Sequence, residues 1–154
     1  MRLSEWCVSA PSGDAVSPKV LAVVEPVLAV LGAARDPACW VTWGDEPATR
    51  WGLLAPAPAG LVTLAVRVNI PQEGPRASGK LIRWSRVQVG DFAVEMQGGH
   101  RFVSASLEGV VLRGMDEEAD RIGAFLRGIL AALDGRPLPD EMLPVTASHG
   151  APAG

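Results

Sequence analysis

Tyrosine is absent from this 154-residue sequence, asparagine occurs once, at Asn69, and two lysines stand against twelve arginines. That skew is the coding bias expected of a GC-rich bacterial genome. Cysteine is scarce as well. Cys7 and Cys39 have neither CxxC spacing nor a neighbouring histidine, so reduced thiols, at least one of them packed, are expected rather than a zinc site or a redox pair. The two histidines, His100 and His149, have no carboxylate or thiol partner nearby in sequence. No GxSxG elbow, GxGxxG, P-loop, HExxH or EF-hand loop is present. No catalytic residue, metal ligand or cofactor is therefore assigned, and the expectation is a protein that works without chemistry.

Long apolar runs are missing too. Val20 to Leu31 is interrupted by Glu25 and Pro26 and falls short of the roughly 20 residues that a membrane-spanning helix needs. The amino terminus, Met-Arg-Leu-Ser-Glu-Trp-Cys, carries an acid and no apolar stretch, unlike a signal peptide. A cytoplasmic protein with no membrane partner is expected. The formal charge of −3 opposes general adhesion to nucleic acid.

What remains suits one globular domain. The length allows a core without disulfides or metals, and the hydrophobic fraction is 48%. Residues 1–16 read as a lead-in segment, with a short strand near Leu3–Val8. Residues 17–136 read as a single α+β domain. Residues 137–154, with four prolines among small and polar residues, read as a disordered tail.

Within the domain, Ser17 and Pro18 open a helix in which Val20, Val23, Val24, Val27, Leu28 and Leu31 recur at helical spacing, running to about Ala34. Pro26 lies inside it and removes a hydrogen bond, which predicts a kink or a break. The period then changes to two. Ala38–Trp43 and Arg50–Ala55 read as strands joined by Gly44 to Pro47. In Leu61–Ile70, Val62, Leu64, Val66, Val68 and Ile70 point to a buried face and Thr63, Ala65, Arg67 and Asn69 to an at least partly polar one.

Residues 78–86 fit a short helix through Leu81, Trp84 and Ser85, or a strand followed by a bulge; the helix is preferred. Phe92–Met96 and Phe102–Leu107 form a hairpin around Gln97-Gly98-Gly99-His100. The last helix opens on Asp116, Glu117, Glu118 and Asp120. Ile122, Phe125, Leu126, Ile129, Leu130 and Leu133 form its apolar stripe, and Gly135 and Pro137 end it. The sum is an antiparallel sheet of about five strands with amino- and carboxy-terminal helices packed on it, in the order α-β-β-β-(α)-β-β-α.

The acidic cluster at Asp116–Asp120 lacks the alternating ligands of a calcium loop and matches what a helix N-terminus favours. Asp91 and Glu95 share a strand face and are read as solvent-facing. Five tryptophans, Trp6, Trp40, Trp43, Trp51 and Trp84, include three within twelve residues. Tryptophan is frequent at interface hot spots, so Trp43, Trp51 and Trp84 are the candidate partner contacts, although packing is its commoner use.

Residues 61–114 hold seven basic and four acidic side chains. A phosphate-binding stripe of Arg67, Lys80, Arg83 and Arg86 is the alternative this suggests, beside the simpler reading of a solvated strand face.

Leu81-Ile82-Arg83-Trp84, Gly90-Asp91-Phe92, Phe102 to Leu107, and Met115-Asp116-Glu117-Glu118 leading into Ile122, Phe125 and Ile129 resemble the small acidic type III secretion chaperones and the related YbjN-like proteins. The resemblance implies helices flanking an antiparallel sheet, a homodimer, and binding of an extended peptide along apolar grooves. Three function classes follow: a peptide-binding chaperone or adaptor whose partner is another protein, a nucleic-acid-binding module, and an enzyme with a site scattered through the sequence. The first is preferred.

Overall fold

Ten elements follow one another in a computed structural model that describes residues 2–9, 18–46 and 49–136, the side chains of 7–9, 45 and 46 excepted. Their order is α1 (Leu3–Ser9), α2 (Pro18–Val30), β1 (Val41–Glu46), β2 (Arg50–Ala57), β3 (Gly60–Arg67), β4 (Arg76–Arg83), β5 (Val89–Gln97), β6 (His100–Leu107), β7 (Val110–Met115) and α3 (Glu117–Leu133). Two antiparallel meanders result, a four-stranded sheet β1-β2-β3-β4 and a three-stranded sheet β5-β6-β7. The α+β class with helices packed on antiparallel sheet is as expected. Two strands are added to the expected five, and they fall into two sheets. The expected Pro-rich tail, His149, Ser17 and Pro137 lie outside the described residues.

The four-stranded sheet is buried on both sides in its middle. On one face Val20, Val24 and Leu28 of α2 and Leu3 of α1 meet Leu53, Ala55, Val62, Leu64 and Val66. On the other, Ile122, Phe125, Leu126 and Ile129 of α3 join Val103, Ala105, Leu107 and Leu112 of the small sheet against Val41, Leu54 and Leu61. Of the inward set, Val62, Leu64, Val66 and Val68 are buried in the first core and Ile70 is half-buried, while Leu61 on the alternate face of β3 reaches the second core. Leu130, expected in the apolar stripe of α3, is 46% exposed.

The first helix replaces the strand expected at Leu3–Val8. Its start is fixed from a distance: the Asp36 carboxylate accepts hydrogen bonds from the Ser4 amide at 2.8 Å and the Ser4 hydroxyl at 2.6 Å. A helix N-terminus has amides without partners, and here an acid more than thirty residues away supplies one. Trp6 then packs on Trp40, with ring centroids 5.0 Å apart, while Arg121 of α3 lies 4.5 Å from the Trp40 ring centre. Trp40 thus ties the first helix to the last.

Helix α2 is one continuous helix through Pro26, which is exposed and faces water with the carbonyl it cannot reach. It stops at Val30 instead of Ala34 because Gly32 takes φ +92. The Ala33 amide then donates to the Leu28 carbonyl and the Gly32 amide to that of Ala29. Gly135 ends α3 by the same pair of bonds, as the sequence predicts. The β5–β6 turn also follows expectation, with Gly98 and Gly99 both at positive φ between paired Gln97 and His100.

The preferred short helix at 78–86 is not formed. Residues 76–83 pair along their whole length with β3, and only Trp84–Arg86 make a 3-10 turn. Leu81 and Ile82 fall on opposite faces of β4 and each finds a core, one with α2 and one with α3. A helix would bury one of them and waste the other.

Phe125 is 1% exposed at the centre of the second core. Replacing it with alanine is expected to cost about 3–5 kcal/mol of unfolding free energy, measured by urea denaturation.

Candidate functional site

Strand β5 has a larger share of exposed residues than any other strand of the described fold: eight of its nine residues are exposed and Val89 is half-buried. The register explains why. Phe92 pairs with Ala105, Val94 with Val103 and Met96 with Arg101, and paired residues share a face. Phe92, Val94 and Met96 therefore stand on the same side of the small sheet as Val103, Ala105 and Leu112, which α3 covers. Helix α3 packs on β6 and β7, and β5 makes its main contacts with β6 alone. The apolar face of the sheet thus continues past its cover, leaving Phe92 50%, Val94 52% and Met96 68% exposed.

The strand is also the outer edge of its sheet, since the order is β5-β6-β7. Among the described residues no strand lies beside its outward amides and carbonyls. An edge with an apolar stripe is the surface that another β-strand recognises.

The opposite face of this sheet is open as well. Ala93, Glu95, Phe102, Ser104, Arg113 and Met115 line a shallow depression of about 480 Å3 there. Glu95 lies in it, accepting from the Gln97 amide at 3.3 Å, and Asp91 is exposed, so both acids face solvent as expected. Neither sits in an enclosed pocket.

The candidate tryptophans are placed less favourably. Trp51 is 5% exposed and stands edge-on to Trp6, with ring centroids 6.1 Å apart, inside the first core. Trp84 is half-buried against the second core and donates its indole N–H to the Pro58 carbonyl at 3.1 Å. Trp43 is half-buried beside β2. Phe92, Val94 and Met96 form an exposed apolar row along one strand. Their alternation was visible in the sequence, but an alternating strand reads the same whether its stripe is covered or bare.

The four basic residues do not form one stripe. Arg67 and Lys80 share the face of the large sheet that looks away from α2. Arg83 lies on the other face of β4, with Ala77 and Leu81, and Arg86 lies in the 3-10 turn.

His100 does have a partner. Its Nδ1 lies 2.7 Å from the Asp116 carboxylate, and since a carboxylate only accepts, the ring nitrogen donates. The Arg101 amide donates to the other oxygen at 3.1 Å. Arg101 pairs with Asp120, and Arg121 with Glu118 at 3.5 Å. Asp116 and Asp120 thus latch the start of α3 to the β5–β6 hairpin end, and among the described residues no group of acids, histidines and cysteines could hold a metal ion. Cys39 is half-buried and packs against the second core. Among the described residues no helix is long and apolar enough to cross a membrane.

No protein-family model, curated protein or solved structure matches this chain.

The latch gives a pH dependence. The His100 hydrogen bond, then the Arg101 amide, lowers the Asp116 pKa below its ordinary 3.8. A depressed carboxylate pKa contributes stability that is fully present above the unfolded value and is lost as the pH falls through the folded one. Asp116→Asn should therefore be less stable than the parent above about pH 4, with the difference closing below it, as read from denaturation midpoints across an acid titration.

Proposed function

We propose that this chain is a non-enzymatic protein-binding module that engages its partner by strand addition at β5, and that its resting state is a homodimer closed across that edge. The observation that carries this reading is the exposed stripe of Phe92, Val94 and Met96 on an unpaired edge strand. Burying such a stripe removes apolar area from water while the new strand pairs the open backbone groups.

The sequence of β5 fits a second copy of itself in one register. With Val94 opposite Val94 of an antiparallel partner, Phe92 meets Met96 twice. On the reverse face Ala93 meets Glu95, and Asp91 meets Gln97. Moving the centre to Ala93 sets Asp91 against Glu95, and moving it to Glu95 sets two glutamates together, both unfavourable across strands. Only the Val94 register joins all three apolar residues of both copies without opposing like charges. An extended segment of another protein would use the same edge in place of the second copy, which is how a chaperone-like or adaptor role would operate. The nucleic-acid reading is weaker because its four basic residues divide between faces.

Light scattering after gel filtration should give a dimer. Val94→Lys places two ammonium groups opposite each other at the centre and should raise the dimer dissociation constant at least about tenfold, with the circular dichroism spectrum unchanged. A monomeric parent protein, or a Val94→Lys variant that dimerises as well as the parent, would remove the support for β5 as the interface.

A further inference from the structure

The large sheet carries a second feature that only the strand register shows. Arg50 of β2 is the partner of Arg67 of β3, and Arg67 is the partner of Arg76 of β4. Three arginines therefore stand in one row across three adjacent strands, on the face away from α2 and beyond the reach of α3. Lys80 lies two rows along the same face. Like charges directly opposite each other destabilise a sheet, and acids offset this row only in part. Glu73 is 3.9 Å from Arg67. Among the described residues no carboxylate pairs with Arg50 or Arg76.

Beside the row, Trp43 lies flat on its strand partner Gly52, so closely that a Cβ there would overlap the indole. Trp43, Ala65 and Val66 with Arg50 and Arg67 line a hollow of about 590 Å3. Two donors at its border, the Trp43 indole N–H and the Arg67 Nε–H, are covered by protein and have no acceptor among the described residues. Covered donors without acceptors are costly, and so is the row of arginines. An anion held by the arginine side chains relieves the row, and Trp43 supplies an apolar wall beside it.

The geometry points to a binding site for a phosphate monoester carried on a flat apolar group, with the phosphate held by Arg50 and Arg67 at the side nearest Arg76 and the apolar body lying along Trp43. Arginine suits the phosphate because its planar fork pairs two oxygens at once. The site lies on the other sheet from β5 and does not depend on the dimer.

The test uses the full chain with phenyl phosphate and inorganic phosphate as probes, each titrated calorimetrically at constant ionic strength. Phenyl phosphate should bind at least about fivefold more tightly than inorganic phosphate, since the apolar wall contributes only to the former. Arg67→Gln and Arg50→Gln should each weaken phenyl phosphate about tenfold. Arg83→Gln, on the opposite face of β4, should leave it unchanged. Trp43→Leu should bring phenyl phosphate down toward the inorganic phosphate value; because that variant disturbs packing, its thermal midpoint is measured beside it. Failure of both probes to bind by about 10 mM, equal affinity for the two, or equal binding by Arg67→Gln and the parent would each overturn the proposal. So would an RNA octamer that binds through the same arginines and is not displaced by phenyl phosphate, which would make the row a nucleic-acid contact instead.

Discussion

Strand β2 has no side facing water: from Trp51 to Ala57 every residue is buried. A strand of this kind can exist only between two apolar layers, and the rest of the fold is arranged to supply them. Helices α1 and α2 close one face, and α3 with the small sheet closes the other. Within the sheet the neighbouring strands leave little room at some backbone positions. At Gly60 a Cβ would meet the Ile82 carbonyl oxygen, and at Gly79 it would come within 2.8 Å of the Thr63 carbonyl oxygen. The two outer layers are linked around the sheet through Trp40, which touches Trp6 and Arg121. Loss of one cover would therefore expose the central strands and also loosen the other cover.

The same constraint leaves surface uncovered elsewhere. Helix α3 has seventeen residues and spends its apolar face on β6, β7 and the end of the large sheet. It cannot also reach β5 or the end of the large sheet where Arg50, Arg67 and Arg76 stand. Both open surfaces described above are consequences of that limited reach. One is apolar at a strand edge, and the other is basic on a strand face. Their different chemistry suits different occupants, a β-strand in the first case and a small anion in the second.

Much of this was legible in the sequence where the signal is local. The α+β class, the stripe of α3, the buried side of β3 and the Gly98-Gly99 turn follow from periodicity and glycine chemistry over a few residues. What was not legible depends on distant pairing. Leu3–Ser9 looks strand-like by itself and becomes a helix under the carboxylate of Asp36. Residues 76–83 carry Leu81 and Ile82 side by side, which favours neither period; the two cores on opposite sides of β4 decide for a strand. The arginine row is invisible because Arg50, Arg67 and Arg76 are neighbours only through register. Tryptophan content directed attention to Trp51, which the core claims, while the bare stripe of β5 looked like any hairpin arm.

The central claim is that β5 pairs with its own copy about Val94, and cross-linking tests it most directly. In a background with Cys7 and Cys39 replaced by serine, Val94→Cys should form a disulfide-linked dimer on mild oxidation, because the two residues are directly opposite. Ala93→Cys should not, because its partner in that register is Glu95. Efficient cross-linking at Val94 with little at Ala93 is the predicted result. Equal cross-linking at both positions, or none at either, would contradict the account.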